Sequence, residues 1–210
     1  MSRTVLIADD HPLFRQALRL AVEGVMADAQ IVEAGTLEDA ERAAIATDGL
    51  SLILLDLRMP GAIGCSGVAL LHACRPATPI LVVSSADPDG AFRAALDFGA
   101  VGYLGKDQPL HVMEQAIADA VAGHVATFTD STNPRQDMAE RIASLAPMQL
   151  RVLLGVIDGK LNKQIAHDLG INEATVKAHM TVVMRKLGVA NRTQATAAMR
   201  AFGAGLDPIA

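Results

Sequence analysis

Asp9 and Asp10 stand side by side at the end of the apolar run Val5-Leu6-Ile7-Ala8, in the stretch VLIADDHPLF. Adjacent carboxylates repel, so a buried strand that runs into two of them requires a cation, a proton or a turn. A third carboxylate, Asp56, follows the run LILL. A hydroxyl, Ser84, ends ILVVS, and an ammonium, Lys106, follows GYLG. Carboxylates so placed suit a small hard cation. Mg2+ takes one or two of them, keeps water, and leaves a position for a phosphate oxygen. Lys106 and the Ser84 hydroxyl then hold the remaining phosphoryl oxygens. Asp56 is the candidate nucleophile, because carboxylates form aspartyl-phosphate intermediates. Singly, each residue is ordinary: an Asp after a strand caps a helix or closes a turn, and a lysine is a solvated charge. Their significance lies in all five falling at equivalent strand ends.

The elements that must position them alternate. Short apolar runs at 4–8, 31–34, 52–55, 80–83 and 101–104 read as strands, several of them apolar at consecutive positions as in a sheet covered on both faces. Amphipathic stretches at 12–25, 37–47, 67–74, 89–98 and 109–122 separate them. This predicts an α/β doubly wound, five-stranded parallel sheet, whose functional groups gather at the carboxyl ends of the strands. From 127 to 143 the pattern gives way to TFTDSTNPRQDMAERIA, a linker composition. Beyond it the periodicity is purely helical, at 147–157, 163–169, 173–187 and 193–201. The expected domains are therefore 1–125, a linker at 126–143, and an all-α unit at 144–210.

Composition narrows the class. The chain has 210 residues, 51% of them hydrophobic but only 3% aromatic, so aliphatic side chains must fill its cores. No apolar run approaches the roughly 18 residues of a membrane span, and the N-terminus lacks the pattern of a signal peptide. Cys65 and Cys74 show no metal-ligand spacing, so reduced thiols in a cytoplasmic protein are the expectation. Charge divides unevenly. Residues 1–143 hold 10 Lys+Arg against 19 Asp+Glu, and residues 144–210 hold 8 against 4. An acidic first part and a basic last part fit a chain whose tail alone meets nucleic acid.

That tail, NKQIAHDLGINEATVKAHMTVVMRKLG, reads as two helices around a tight turn. Asn162 is the expected cap of the first, Gly170 ends it, Ile171 plugs the turn, and Asn172 caps the second with Glu173 near its positive end. Val176, Met180, Val183 and Leu187 form a core stripe. Lys177, Ala178, Thr181 and Arg185 fall on the outer surface, a set able to meet phosphates and base edges in a major groove.

The segments ADDH, LLDLRMPG, VVSSAD and GYLGK closely resemble the receiver domain of two-component response regulators, over roughly residues 3–125. The resemblance implies that Asp56 accepts a phosphoryl group from a histidine kinase. It further implies that Asp10, Asp56 and the backbone carbonyl of Arg58 bind Mg2+ directly, with Asp9 acting mainly through water. Ser84 and Lys106 contact the phosphoryl group, and Tyr103 is the aromatic switch that turns inward as Ser84 moves. From about Leu145 to Ala201 the chain looks like the DNA-binding domain of LuxR-type (NarL/FixJ) regulators. By that likeness Lys177, Ala178 and Thr181 face bases, while Asn162, Lys163, Thr175, His179 and Lys186 lie near the DNA backbone or support the helix. The last helix carries much of a homodimer contact.

Two stretches depart from the family pattern. GAIGCSG offers two glycines, Gly64 and Gly67, for the start of the third helix, and APMQ lacks the hydroxyl cap and acidic residue that usually open the DNA-binding domain. The latter change is expected to weaken that helix start. The implied function is a phosphorylation-controlled transcription regulator, in which the receiver covers the recognition helix in one form and releases it to dimerise on double-stranded DNA in another. Two rivals remain at this level: a regulator switched by a small ligand or protein partner, and a Mg2+-dependent phosphohydrolase.

Overall fold

The computed structural model describes residues 3–85, 88–124, 138 and 141–203. Five strands, β1 (Thr4–Ala8), β2 (Gln30–Ala34), β3 (Leu50–Leu55), β4 (Ile80–Ser84) and β5 (Gly102–Gly105), form one parallel sheet in the order β2-β1-β3-β4-β5. Side chains alternate across a strand, so each strand feeds two cores. Val5, Ile7, Leu52, Leu54, Leu81 and Val83 pack on one face against α1 (Pro12–Val25) and α5 (Leu110–Val121), through Leu18, Val22, Met113 and Ile117. Leu6, Ala8, Ile53, Leu55, Ile80 and Val82 pack on the other face, against α2 (Leu37–Ala46), α3 (Ser66–Cys74) and α4 (Pro88–Asp97). Burial on both faces accounts for the consecutive apolar residues of β1, β3 and β4.

The connection into α3 is set by its glycines. Gly64 adopts a positive φ of 54°, whereas a Cβ on Gly67 would lie 3.3 Å from Leu37 Cδ1. Gly64 thus makes the turn and Gly67 permits the close packing of α2 on α3, so the helix opens one residue earlier than expected, at Ser66. The Ser66 hydroxyl accepts from the Ile63 amide at 2.8 Å. Cys65 and Cys74 form no disulfide with each other.

The second unit comprises α6 (Pro147–Ile157), α7 (Asn162–Asp168), α8 (Glu173–Leu187) and α9 (Arg192–Gly203). Most of the expected linker, 125–137 and 139–140, lies outside the described residues, but 141–143 are helical and Ile142 and Leu145 are buried in the second unit. Gln149 repairs the start of α6. Its Oε1 accepts from the Ala146 amide at 3.1 Å, so a bond the sequence expectation treated as lost is made by the neutral side chain.

The two units touch. Helix α3 packs against α6, and Arg151 of α6 grips the buried Glu41 of α2, with Nε 2.8 and 3.0 Å from its two oxygens and Nη2 2.6 Å from Oε1. A cleft of about 620 Å3 lies beside this pair, lined by Leu37, Ile45, Leu154 and Ile165 among others.

Candidate functional site

The first strand-end group is Asp9, whose side chain is wholly buried just past β1. Its amide donates to the Ala34 carbonyl at 3.0 Å and its Oδ1 accepts from the His11 amide at 2.7 Å. Asp10, the next residue, keeps about a third of its side chain exposed, with Oδ1 2.6 Å from His11 Nδ1. Asp56 follows β3. Its amide donates to the Ala8 carbonyl at 2.8 Å and its Oδ1 accepts from the Arg58 amide at 3.0 Å. Lys106, at the end of β5, reaches between the acids: Nζ is 2.6 Å from Asp9 Oδ2 and 2.7 Å from Asp56 Oδ2. The parallel sheet brings these groups together because the ends of its three central strands and β5 share one edge.

One ammonium against three carboxylates leaves a formal surplus of two negative charges. Ligand atoms of Asp9, Asp10, His11 and Asp56 lie within 4.8 Å of one another. Among the described residues, Asp9 Oδ2 and Asp10 Oδ1 are buried and no donor is aligned on them, although Lys106 Nζ and His11 Nδ1 each lie 2.6 Å away. Charge, oxygen chemistry and underused buried acceptors all fit a hard divalent cation. His11 belongs to the cluster, but its imidazole faces Asp10 and is not a donor that Mg2+ seeks.

Ser84 is fully buried at the end of β4, and its carbonyl accepts from the Lys106 amide at 3.1 Å. Its side chain hydrogen-bonds that of Tyr103, a half-buried residue of β5. Burial raises the Tyr103 hydroxyl above its ordinary pKa, and the Ser84 bond opposes this. The Tyr103 ring meets Phe92 of α4 edge to face, 5.9 Å between centroids. Tyr103 thus links the buried end of β4 to helix α4.

In the second unit, Val176, Met180, Val183 and Leu187 are buried as the periodicity required, and Lys177, Ala178, Thr181 and Arg185 are exposed. Gly170 takes the left-handed conformation, φ 63°, that turns α7 into α8. Asn172 Oδ1 accepts from the Thr175 amide at 2.8 Å and from the Thr175 hydroxyl at 3.0 Å. Lys163 is exposed, and Thr175 and His179 are half-buried. Lys186 donates to the Ser144 carbonyl at 2.6 Å, tying α8 to the segment before α6.

One expectation needs correction. Asn162 does not cap α7: it is the first helical residue, and its Oδ1 accepts from Arg192 Nη1 at 3.0 Å. The cap position is Leu161, whose amide donates to Gln164 Oε1 at 2.7 Å. Among the described residues the receiver holds α6 through Glu41, Arg151 and α3 and leaves the outer face of α8 uncovered, the arrangement expected of the released form. Sequence reading also missed Phe14, whose ring centre lies 4.8 Å from Lys106 Nζ, and Arg15, which bonds the Asp9 carbonyl. Both sit in an ordinary amphipathic pattern, and nothing in their spacing marks them.

This fold and site define a receiver joined to a helix-turn-helix unit. The response regulator receiver domain family matches residues 5–118, and the family of bacterial regulatory proteins, luxR type, matches residues 143–199. The chain is 36% identical to the glycerol metabolism activator of Pseudomonas putida and 34% identical to the nitrate/nitrite response regulator protein NarP of Escherichia coli, each alignment covering 91% of this chain and 92% of the relative. It shares the fold of the Salmonella typhimurium response regulator RcsB, with a TM-score of 0.54 at 22% identity over 95% of this chain and 98% of that one. The chain belongs to the LuxR-type response regulators. It is a phosphorylation-dependent transcription regulator and not a classical enzyme. The ligand-switched regulator and the phosphohydrolase are not favoured. No helix among the described residues is long and apolar enough to cross a membrane.

Proposed function

We propose that Asp56 is the phosphoacceptor, serving a histidine kinase in the cytoplasm, and that phosphorylation promotes homodimerisation on double-stranded DNA. The observation that carries this reading is the buried Asp56 carboxylate, bridged to Lys106 at 2.7 Å with Asp9 and Asp10 beside it. An Asp56 oxygen attacks the phosphorus of a phosphohistidine. The new O–P bond forms as the N–P bond breaks, and the kinase imidazole leaves with that electron pair. Mg2+, held by Asp10, Asp56 and the Arg58 carbonyl with Asp9 acting through water, would neutralise charge on the phosphoryl oxygens. Lys106 exchanges its carboxylate contacts for a phosphoryl oxygen, and the Ser84 hydroxyl turns to a second. That turn withdraws Ser84 from Tyr103, and the ring turns inward from its contact with Phe92 of α4. The working division is a receiver at 1–125, a linker at 126–143 and an effector domain at 144–210. Within the effector domain, Lys177, Ala178, Thr181 and Arg185 face the major groove. Asn162, Lys163, Thr175, His179 and Lys186 flank the DNA backbone or brace the helix. Helix α9 contributes to a dimer reading half-sites about 10 base pairs apart.

Intact-mass measurement after incubation with Mg2+ and acetyl phosphate tests the chemistry. The wild type is expected to gain one phosphoryl group, and Asp56→Asn, or the wild type with a chelator, to gain none. Equal gain in Asp56→Asn would sink the assignment.

A further inference from the structure

The first turn of α1 delivers Arg15 to the base of the acidic pocket. Its Nη1 donates to the Asp9 carbonyl at 2.7 Å, and its Nε donates to Glu33 Oε2 on β2 at 3.0 Å. The guanidinium is planar, so these two bonds are fixed relative to each other and the arginine acts as a rigid strut. The Asp9 carbonyl lies beyond the end of β1, and it shares one peptide plane with the amide and Cα of Asp10. Holding that oxygen therefore sets the direction in which Asp10 leaves the strand. Asp9 is fixed independently, through its amide, through Oδ1 and through Lys106. Among the described residues, the partly exposed Asp10 carboxylate meets only His11, so the backbone is its main constraint.

We propose that Arg15 is a positioning residue of the acidic pocket: by bracing the Asp9–Asp10 peptide against Glu33, it aims Asp10 so that its carboxylate converges with that of Asp56 on a divalent cation. The inference rests on the reading of this pocket as a Mg2+ site. Outer partners of this kind carry about 10- to 100-fold of metal affinity. Arg19 provides the control. It also pairs with Glu33, one turn further along α1, but among the described residues its bond goes to Glu33 and not to Asp9.

The test is calorimetric titration of Mg2+ into the full chain, with amide hydrogen exchange of residues 9–11 measured in metal-free protein. Arg15→Gln is expected to weaken Mg2+ about tenfold or more and to speed exchange at Asp10. It should raise the Mg2+ concentration for half-maximal phosphorylation by acetyl phosphate while the plateau rate stays near that of the wild type. Arg15→Lys keeps the charge but cannot span both partners, so it should fall between; it also serves if Arg15→Gln melts early. Arg19→Gln should match the wild type. Wild-type Mg2+ affinity in Arg15→Gln, or equal weakening in Arg19→Gln, would overturn the proposal. If the wild type itself bound no Mg2+, the reading of the site would fail, and exchange at Asp10 would still decide whether Arg15 holds that peptide.

Discussion

Lys106 sits between two buried carboxylates with 13% of its side chain exposed, and the face of Phe14 closes one side. Its charge is partly shielded from water, so losing one of its partners costs more than at a surface lysine. The cation–π contact adds on the order of 1–2 kcal/mol at such a site. The basic residues of α8 are the opposite case. Lys177 and Arg185 are exposed and, among the described residues, complete no ion pair, as the proposed contact with a polyanion requires. Thr181 is already committed in part, its hydroxyl donating to the Lys177 carbonyl at 3.0 Å, so it offers only acceptor capacity to a base. With Lys177 facing bases, Lys177→Ala is expected to lose about 1–3 kcal/mol of binding and to relax specificity at the base pair it reads. Fluorescence anisotropy with base-substituted duplexes across a salt series checks this. A loss equal for all sequences, with the slope of log affinity against log salt lowered by about 1, would instead make Lys177 a phosphate contact.

Helix α8 depends on its ends as well as its buried stripe. Asn172 satisfies the Thr175 amide at the start, and Gly188, at φ 69°, closes the other end. Asn172→Ala is expected to cost the effector domain about 1 kcal/mol, read as a lower denaturation midpoint with an unchanged slope. Most elements were legible in the sequence because their signals are local. The runs VLIA and LILL and the stripe from Val176 to Leu187 declare burial within a few residues, and α1, α6 and α8 begin and end at the expected positions. The acidic edge was legible for a related reason: strand ends in a parallel sheet converge wherever the strands do. What was not legible depends on distant partners. Arg192 draws the Asn162 side chain away from the cap position from 30 residues off, and Glu33, which steadies Arg15, is 18 residues away on an edge strand. Gln149 could replace an acidic residue at the start of α6 because the bond needs only a carbonyl acceptor.

At the scale of the molecule, among the described residues, receiver and effector meet through the Glu41–Arg151 ion pair and an apolar seam, joining residues 110 apart in sequence. Glu41 is 6% exposed and Arg151 satisfies both its oxygens, while the adjoining cleft leaves the seam incompletely filled. Removing Arg151 strands a buried carboxylate, so Arg151→Ala is expected to separate the domains and raise the radius of gyration in small-angle scattering. An unchanged radius would assign the holding energy to the contacts of α3 with α6. The hydrogen bond between Ser84 and Tyr103 has an optical consequence. The chain contains one tyrosine and no tryptophan. Its tyrosine emission therefore comes from a single ring, the one beside Ser84. Under the proposed switch, the unlabelled protein carries its own spectroscopic gauge of the receiver state.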